Sequence, residues 1–194
     1  MKISIITKSL IVIVFFFNLA VVAKGKTTVE SCNRIVTFDE PPKKAISNDV
    51  NLTEMMLVLG LTDRMVGYTG ISGWNKLDAK MREGVDALPE LSKKYPSKEV
   101  LVGADADFFF AGWNYGMKVG GEVTPETLEP FGIKVYELTE SCTHIMEKDK
   151  ASIDDMYSDL SLIHISEPTR QAELAVAGVG VEKKGGGGGG GGGG

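Results

Sequence analysis

KKAISNDVNLTEMMLVLG, residues 43–60, is the stretch that decides the fold of this chain of 194 residues. It begins with a short apolar strand at 45–47, continues through a polar elbow, and then shows apolar residues at helical spacing. Asn51 is the predicted N-cap, and Glu54 three residues later would complete a capping box. Gly60 is placed to end the helix in a left-handed conformation. The pattern predicts a strand, an elbow, a helix and a stop.

Further strands are predicted along the chain, separated by short helices. They lie at 65–68, 108–111 and 134–138, and residues 32–38 read as an edge strand or half of a hairpin. FFFA at 108–111 is apolar throughout, which is typical of a strand buried on both faces of a parallel sheet. The predicted fold class is therefore α/β, a single Rossmann-like lobe with a parallel sheet between two helical layers.

Ligands of open α/β sheets bind beyond the carboxyl ends of the strands, so the loops there are the first candidates for function. The elbow after the first predicted strand holds Asn48 and Asp49, which are either ligand contacts or simple turn formers. Trp74 follows the second strand in a glycine-rich loop, as a stacking surface or a lid over the core. The strand at 108–111 ends in two aromatics, an amide and two glycines, residues 112–116.

The N-terminal residues have the pattern of a secretory signal peptide. An apolar run at 9–22 follows Lys2 and Lys8, and small residues come after it. We predict that residues 1–25 are a cleaved signal peptide and that the protein is exported to the periplasm. The net charge of -5 gives no basic surplus for binding nucleic acid.

The C-terminal residues have a different origin in our interpretation. LSLIHISEPTR, residues 160–170, matches the translation of a transposase-type sequencing-library adapter, and Lys183, Lys184 and a glycine run follow it. We predict that the evolved sequence ends at Asp159, that residues 160–194 are a disordered tail of artefactual origin, and that the natural protein is longer. His164 is accordingly no candidate ligand.

Two cysteines, Cys32 and Cys142, lie in the exported part. An even count in an oxidising compartment predicts a disulfide between them. The last predicted helix begins after Ser152 as its cap, and Ile153, Met156 and Tyr157 are expected on its apolar face.

Four segments carry a resemblance to a known family: TFDEPPKKAIS, NLTEMMLVLGLTDRMVGYT, LPELSKKYPSKEVLVGADADFFFAGW and LEPFGIKVYEL. In this order they resemble the amino-terminal lobe of periplasmic substrate-binding proteins of ABC importers for iron complexes and vitamin B12. The resemblance covers residues 32–159. It implies a truncated two-lobe protein with a helical backbone, in which 26–150 form the first lobe and 151–159 begin the interlobe helix.

The resemblance also implies roles for individual residues. Glu99 corresponds to the family's surface glutamate that meets arginines of the membrane permease. The partners implied are the permease and ATPase of an importer, with the protein itself a monomer. The implied ligand contacts are Asn48, Asp49, Thr69, Trp74, Trp113, Asn114 and Tyr115.

The expected ligand is a small-molecule metal complex of ferric siderophore, haem or cobalamin type, so an iron or cobalt complex, and no cofactor is expected. A bare metal ion needs three or four His, Asp or Glu ligands, and His144 is the only credible histidine. Aromatic side chains suit the outer surface of a large complex instead.

The alternative is a nucleotide-binding α/β enzyme domain. It would need a G-x-G-x-x-G turn after the first strand, where this chain has the elbow instead, and GMKVGG at 116–121 has the wrong spacing. No nucleophile and base pair can be assembled, and Glu137 and Glu140 read equally as a solvated strand edge. The sequence therefore predicts a binding protein rather than an enzyme.

Overall fold

The computed structural model describes residues 26–73, 79–148 and 150–165, without the side chains of Lys80, His164 and Ile165. Its α-helices are α1 (Val50–Val58), α2 (Ala79–Val85), α3 (Lys98–Gly103), α4 (Pro125–Leu128) and α5 (Ile153–Ile165), with 3-10 turns at Thr62–Arg64, Glu129–Phe131 and Thr139–His144. Its strands are β1 (Thr27–Ser31), β2 (Arg34–Phe38), β3 (Ala45–Asn48), β4 (Met65–Thr69), β5 (Glu90–Ser92), β6 (Phe108–Trp113), β7 (Gly116–Met117) and β8 (Lys134–Glu137). None of the described helices is long and apolar enough to cross a bilayer.

The main sheet is parallel and confirms the predicted fold class. Its strands lie in the order β5-β4-β3-β6, and β6 also pairs with β7 and β8. The chain therefore starts in the middle of the sheet, moves outward to β5, and returns to the other side through β6. The direction of winding reverses between β3 and β6. Such a topological switch point opens a crevice at the carboxyl ends of the strands.

Helices cover both faces of this sheet, and β6 shows why. Phe108 and Phe110 point into a core shared with α1, α2 and α5, whereas Phe109 and Ala111 point into a second core shared with α3 and α4. All residues of β6 are buried, as predicted for FFFA, although the strand extends further, to Trp113. The result is the three-layer lobe expected from the sequence.

The start of α1 differs from the prediction. The N-cap is Asp49, whose carboxylate accepts a hydrogen bond from the Val50 N–H at 2.7 Å, so the capping box proposed for Asn51 and Glu54 is wrong. The backbone at Asp49 is left-handed, with φ 72°, which turns the chain from β3 directly into the helix. The predicted stop is confirmed, since Gly60 has φ 67°.

An antiparallel hairpin of β1 and β2 precedes the sheet, and β1 was not predicted. Its turn contains Cys32, which forms the predicted disulfide with Cys142. The two Cα atoms are 5.3 Å apart, across a sequence separation of 110 residues. The disulfide therefore ties the hairpin to the 3-10 turn that follows β8.

Helix α5 packs differently from the prediction. The predicted Ser152 cap is confirmed, since the Asp155 N–H donates to Ser152 Oγ at 3.2 Å, and the Ser152 N–H donates back to Asp155 Oδ2 at 2.8 Å. The proposed apolar face is wrong, however, because Ile153 and Tyr157 are 68% and 61% exposed and Met156 also faces solvent. The helix contacts the body of the lobe further along, where Asp159 is buried.

The helix also continues past the predicted boundary at Asp159. Residues 160–165 are helical, so the prediction of a disordered tail is wrong for them, whereas the artefactual origin of 160–194 stays a prediction. The physical reason is packing: Ile163 is 5% exposed within the core beside α1, and Leu162 lies against the same cluster. Residues 166–194 lie outside the described part of the chain.

Asp159 should make the stability of the lobe depend on pH. Burial raises the pKa of its carboxyl, opposed by hydrogen bonds from Thr139 and Tyr136. The native state then holds the proton more tightly than the unfolded chain does. The free energy of unfolding should therefore fall as the pH rises from the unfolded pKa, about 3.9, through the higher native pKa.

Urea unfolding of the wild type and of Asp159→Asn across a pH series tests this expectation. The variant lacks the titrating group, so its stability relative to the wild type should improve as the pH rises through that interval. A difference that stays constant with pH would contradict the expectation.

Candidate functional site

Four loops meet at the carboxyl ends of β3, β4, β5 and β6, and we call them the switch-point edge: residues 48–49, 69–73, 93–96 and 114–116. Backbone hydrogen bonds join the first three loops, and the Tyr95 hydroxyl joins the third to the β6 loop. The Asp49 N–H donates to the Thr69 carbonyl at 2.8 Å, and the Gly70 N–H donates to the Ser92 carbonyl at 2.9 Å. The Gly73 N–H donates to the Lys93 carbonyl at 2.8 Å. The edge is therefore one connected surface.

Asn48 and Thr69 support this surface from below. Both side chains are fully buried, and the Thr69 hydroxyl donates to Asn48 Oδ1 at 2.8 Å. The Asn48 amide lies between Gly70 and Gly116, where a Cβ atom added at either glycine would come within 2.8 Å of it. The two glycines, both with positive φ, are what lets the β4 and β6 loops close over the amide.

Replacing Gly116 with alanine should therefore lower the free energy of unfolding by about 2–4 kcal/mol, through backbone strain and overpacking against Asn48. Gly103→Ala is the matched control, because a Cβ there would meet nothing within 4 Å. Urea unfolding measures both variants. Equal stability of the two variants would show that the close contact between Gly116 and the Asn48 amide imposes no constraint.

Two non-glycine residues of the edge have left-handed backbones, and they flank the switch point. Asp49 has φ 72° and Asn114 has φ 65°. Such conformations cost roughly 1–3 kcal/mol each and are concentrated at ligand-binding and active sites. Asp49 is half-buried and Asn114 is exposed. Both therefore sit where a ligand could reach them.

Tyr95 completes the edge and was missed by the sequence analysis. It follows β5, and its hydroxyl donates to the Asn114 carbonyl, so that it reaches over the ends of β4 and β3 to the β6 loop. Burial raises the pKa of Tyr95, and the nearby Asp49 carboxylate and Tyr115 add to the rise. Asp49, Tyr95, Asn114 and Tyr115 thus converge at the crevice.

Trp113 does not belong to this surface. It is 6% exposed, and its indole N–H donates to Glu137 Oε1 at 2.9 Å. The ring of Trp113, an implied ligand contact, is enclosed in the second core of this lobe, so its contact with a ligand stays a prediction. Glu137 does not lie on a solvated strand edge either, because its side chain is fully buried and pairs with Arg34 at 2.7 Å.

The remaining predicted site residues lie apart from the crevice or outside the described structure. Trp74 falls in 74–78, outside the described residues. The loop that leads to it is held by Glu90, whose carboxylate accepts from the Ile71 and Ser72 N–H groups at 3.2 and 2.7 Å. Glu99 is exposed in the first turn of α3, and a hydrogen bond from Ser97 lowers its pKa.

The groups at the switch-point edge are suited to recognising a ligand. They include phenol hydroxyls, aromatic rings, a carboxylate and amide groups, which suit a polar ligand with a large surface. Among the described residues, no group of three His, Cys, Asp or Glu side chains could hold a metal ion.

Comparison with solved structures identifies the fold. A periplasmic binding protein from Veillonella parvula is 22% identical with a TM-score of 0.58, covering 78% of this chain and 49% of that one. An ABC-type Fe3+-hydroxamate transport protein from Saccharomonospora viridis is 26% identical with a TM-score of 0.55, covering 78% and 52%. The petrobactin-binding protein of Bacillus subtilis is 17% identical with a TM-score of 0.52, covering 79% and 50%.

This chain spans about half the length of these structures. No protein-family model matches it, and no curated protein sequence matches it either. The solved proteins are named for binding or transport rather than for an enzymatic reaction. The fold predicted by the sequence resemblance is confirmed: the chain has the fold of one lobe of the periplasmic solute-binding proteins of ABC importers.

Proposed function

We propose that this protein is the exported solute-binding component of an ABC importer, which captures an iron or cobalt complex and delivers it to the membrane permease. The observation that carries the proposal is the likeness to a 26% identical protein of an Fe3+-hydroxamate transport system. The switch-point edge supports it, because polar and aromatic groups converge where this fold class binds ligands. The ligand types in question are a ferric siderophore, haem and cobalamin.

The N-terminus of α1 argues against the nucleotide-binding alternative. Nucleotide-binding α/β domains leave the first N–H groups of this helix free for a phosphate. Here the Asp49 carboxylate already accepts from the Val50 N–H, so a negative charge occupies that position. A phosphate would meet repulsion instead of free donors.

Titration of the whole chain with a ferric trihydroxamate, a ferric catecholate, haem and cobalamin tests the proposal, with binding followed by calorimetry. We expect saturable binding of one of these classes and none of free Fe3+ or Zn2+. Absence of binding to all four complexes would overturn the proposal.

A pair of tyrosine variants locates the site. Tyr95→Ala should weaken binding roughly 5- to 100-fold if the ring contacts the ligand at the edge. Tyr157→Ala, which removes an exposed tyrosine from α5, is the matched control and should leave affinity unchanged. Equal affinities of the two variants would place the ligand elsewhere.

Glu99 is the proposed contact to the permease. It lies in α3, and the Ser97 hydrogen bond favours its charged form, as an arginine partner requires. Glu99→Lys should leave ligand affinity intact and reduce uptake by cells that carry the importer. Unchanged uptake would remove Glu99 from the interface.

A further inference from the structure

The carboxylate of Glu137 lies outside the switch-point edge, yet it accepts four hydrogen bonds beside it. It is fully buried at the end of β8. It accepts from Ser31 Oγ at 2.8 Å, from Arg34 Nε at 3.1 Å and Nη2 at 2.7 Å, and from the Trp113 indole at 2.9 Å. A charge buried this completely needs an opposite charge and hydrogen bonds to offset the loss of water, and these partners provide both.

These partners belong to separate parts of the chain that the disulfide brings together. Ser31 and Arg34 flank Cys32 in the hairpin turn, and Cys32 is bonded to Cys142. The neighbour of Cys142, Ser141, accepts a hydrogen bond from the Trp113 backbone N–H at 3.0 Å. Trp113 is therefore held by its backbone on one side and by its indole on the other.

The residues after Trp113 form the β6 loop of the edge. The Gly112 and Tyr115 N–H groups bond across the loop to each other's carbonyl, at 2.9 and 2.8 Å, and the Asn114 N–H donates to Met117. The Asn114 carbonyl is the acceptor for Tyr95. The position of Trp113 thus determines where Asn114 and Tyr115 face the crevice.

We infer that Glu137 is the positioning residue of the switch-point edge: by fixing the Trp113 indole and the hairpin turn, it holds the β6 loop in its strained, ligand-facing conformation. Binding sites depend on such supporting side chains, whose own positions are locked by further hydrogen bonds. The expected effect of Glu137 on ligand affinity rests on the proposed function, whereas its effect on the β6 loop does not depend on the ligand.

Trp113→Phe isolates the bond, since it removes the indole N–H and keeps an aromatic ring in the core. Tyr136→Phe is the matched control, because it also removes one buried aromatic donor to a carboxylate, Asp159, at 2.9 Å. Tyr136 packs in the core on the opposite face of the sheet, so that its loss leaves the β6 loop untouched.

Amide hydrogen exchange of the whole chain is the first readout. Exchange through global unfolding should rise similarly in both variants, whereas the N–H groups of Asn114 and Tyr115 should exchange at least tenfold faster in Trp113→Phe alone. Equal exchange at these amides in the two variants would overturn the inference and leave Trp113 with a structural role only.

Affinity for a ferric trihydroxamate is the second readout, and we expect a loss of at least fivefold in Trp113→Phe and none in Tyr136→Phe. If the wild type binds no metal complex, the proposed function fails, and the exchange result still decides the role of Glu137. If Trp113→Phe does not fold, Glu137→Gln replaces it. The single side-chain oxygen of glutamine goes to Arg34 and Ser31, which leaves its NH2 group against the Trp113 indole N–H. The indole bond is then lost, so the same amides should exchange faster, and unchanged exchange would overturn the inference.

Discussion

Replacing Arg34 with methionine should lower the free energy of unfolding by about 3 kcal/mol, near the lower end of the range for breaking a buried ion pair. The change removes the guanidinium that binds Glu137 and leaves a fully buried carboxylate without its cation. The lower end applies because 29% of the Arg34 side chain reaches solvent. Methionine keeps much of the apolar stem of arginine, so the loss of stability reports mainly the missing positive charge.

Urea unfolding of Arg34→Met measures this loss, with Lys26→Met as the matched control. Lys26 forms an ion pair with Asp39 in which both side chains are more than 70% exposed, so its removal should cost under about 1 kcal/mol. An Arg34 variant as stable as the Lys26 variant would mean that Glu137 is satisfied by its neutral partners alone.

Removing the disulfide should have an effect of similar or larger size. The bond closes a loop with a sequence separation of 110 residues. The chain-entropy model assigns such a loop about 4–5 kcal/mol of stabilisation. The double variant Cys32→Ser, Cys142→Ser should lose close to this amount in urea unfolding.

The reduced wild type serves as the control for the serine substitutions, and it should unfold at the same urea concentration as the double variant. The wild type under oxidising conditions should unfold at a clearly higher concentration. A midpoint that does not change on reduction would show that the two sulfurs are not bonded in solution.

The fold was predictable because its signals are local. The apolar run of β6 predicts a strand buried on both faces, and the polar elbow after β3 predicts the turn into α1. The details of that turn were not predictable, because Asp49 adopts a left-handed backbone. An aspartate tolerates this conformation but does not require it. Strand β5 was missed because it has three half-buried residues and follows a proline.

The site was predictable in part for the same reason. Asp49, Asn114 and Tyr115 follow strands that the sequence reveals, and the structure brings them together. Tyr95 follows the missed strand β5, so its place at the edge could not be read from the sequence. The burial of Trp113 could not be read from the sequence, because its indole pairs with Glu137, a charged residue whose other partners come from the distant hairpin.

Exposed apolar residues on α5 show the limit of periodicity. Ile153 and Met156 have helical spacing, but spacing does not say which face of a helix meets the body of the lobe. The buried Asp159 decides this, since its bonds to Tyr136 and Thr139 turn one face inward.

The most direct test of ligand capture at the switch-point edge is amide hydrogen exchange of the whole chain with and without a saturating metal complex. We predict slower exchange in the ligand-bound state at Asp49, Gly70 and Asn114, with little change at α5 and in the β1–β2 hairpin. Binding accompanied by protection elsewhere, with these three amides unchanged, would contradict the placement of the ligand at this edge.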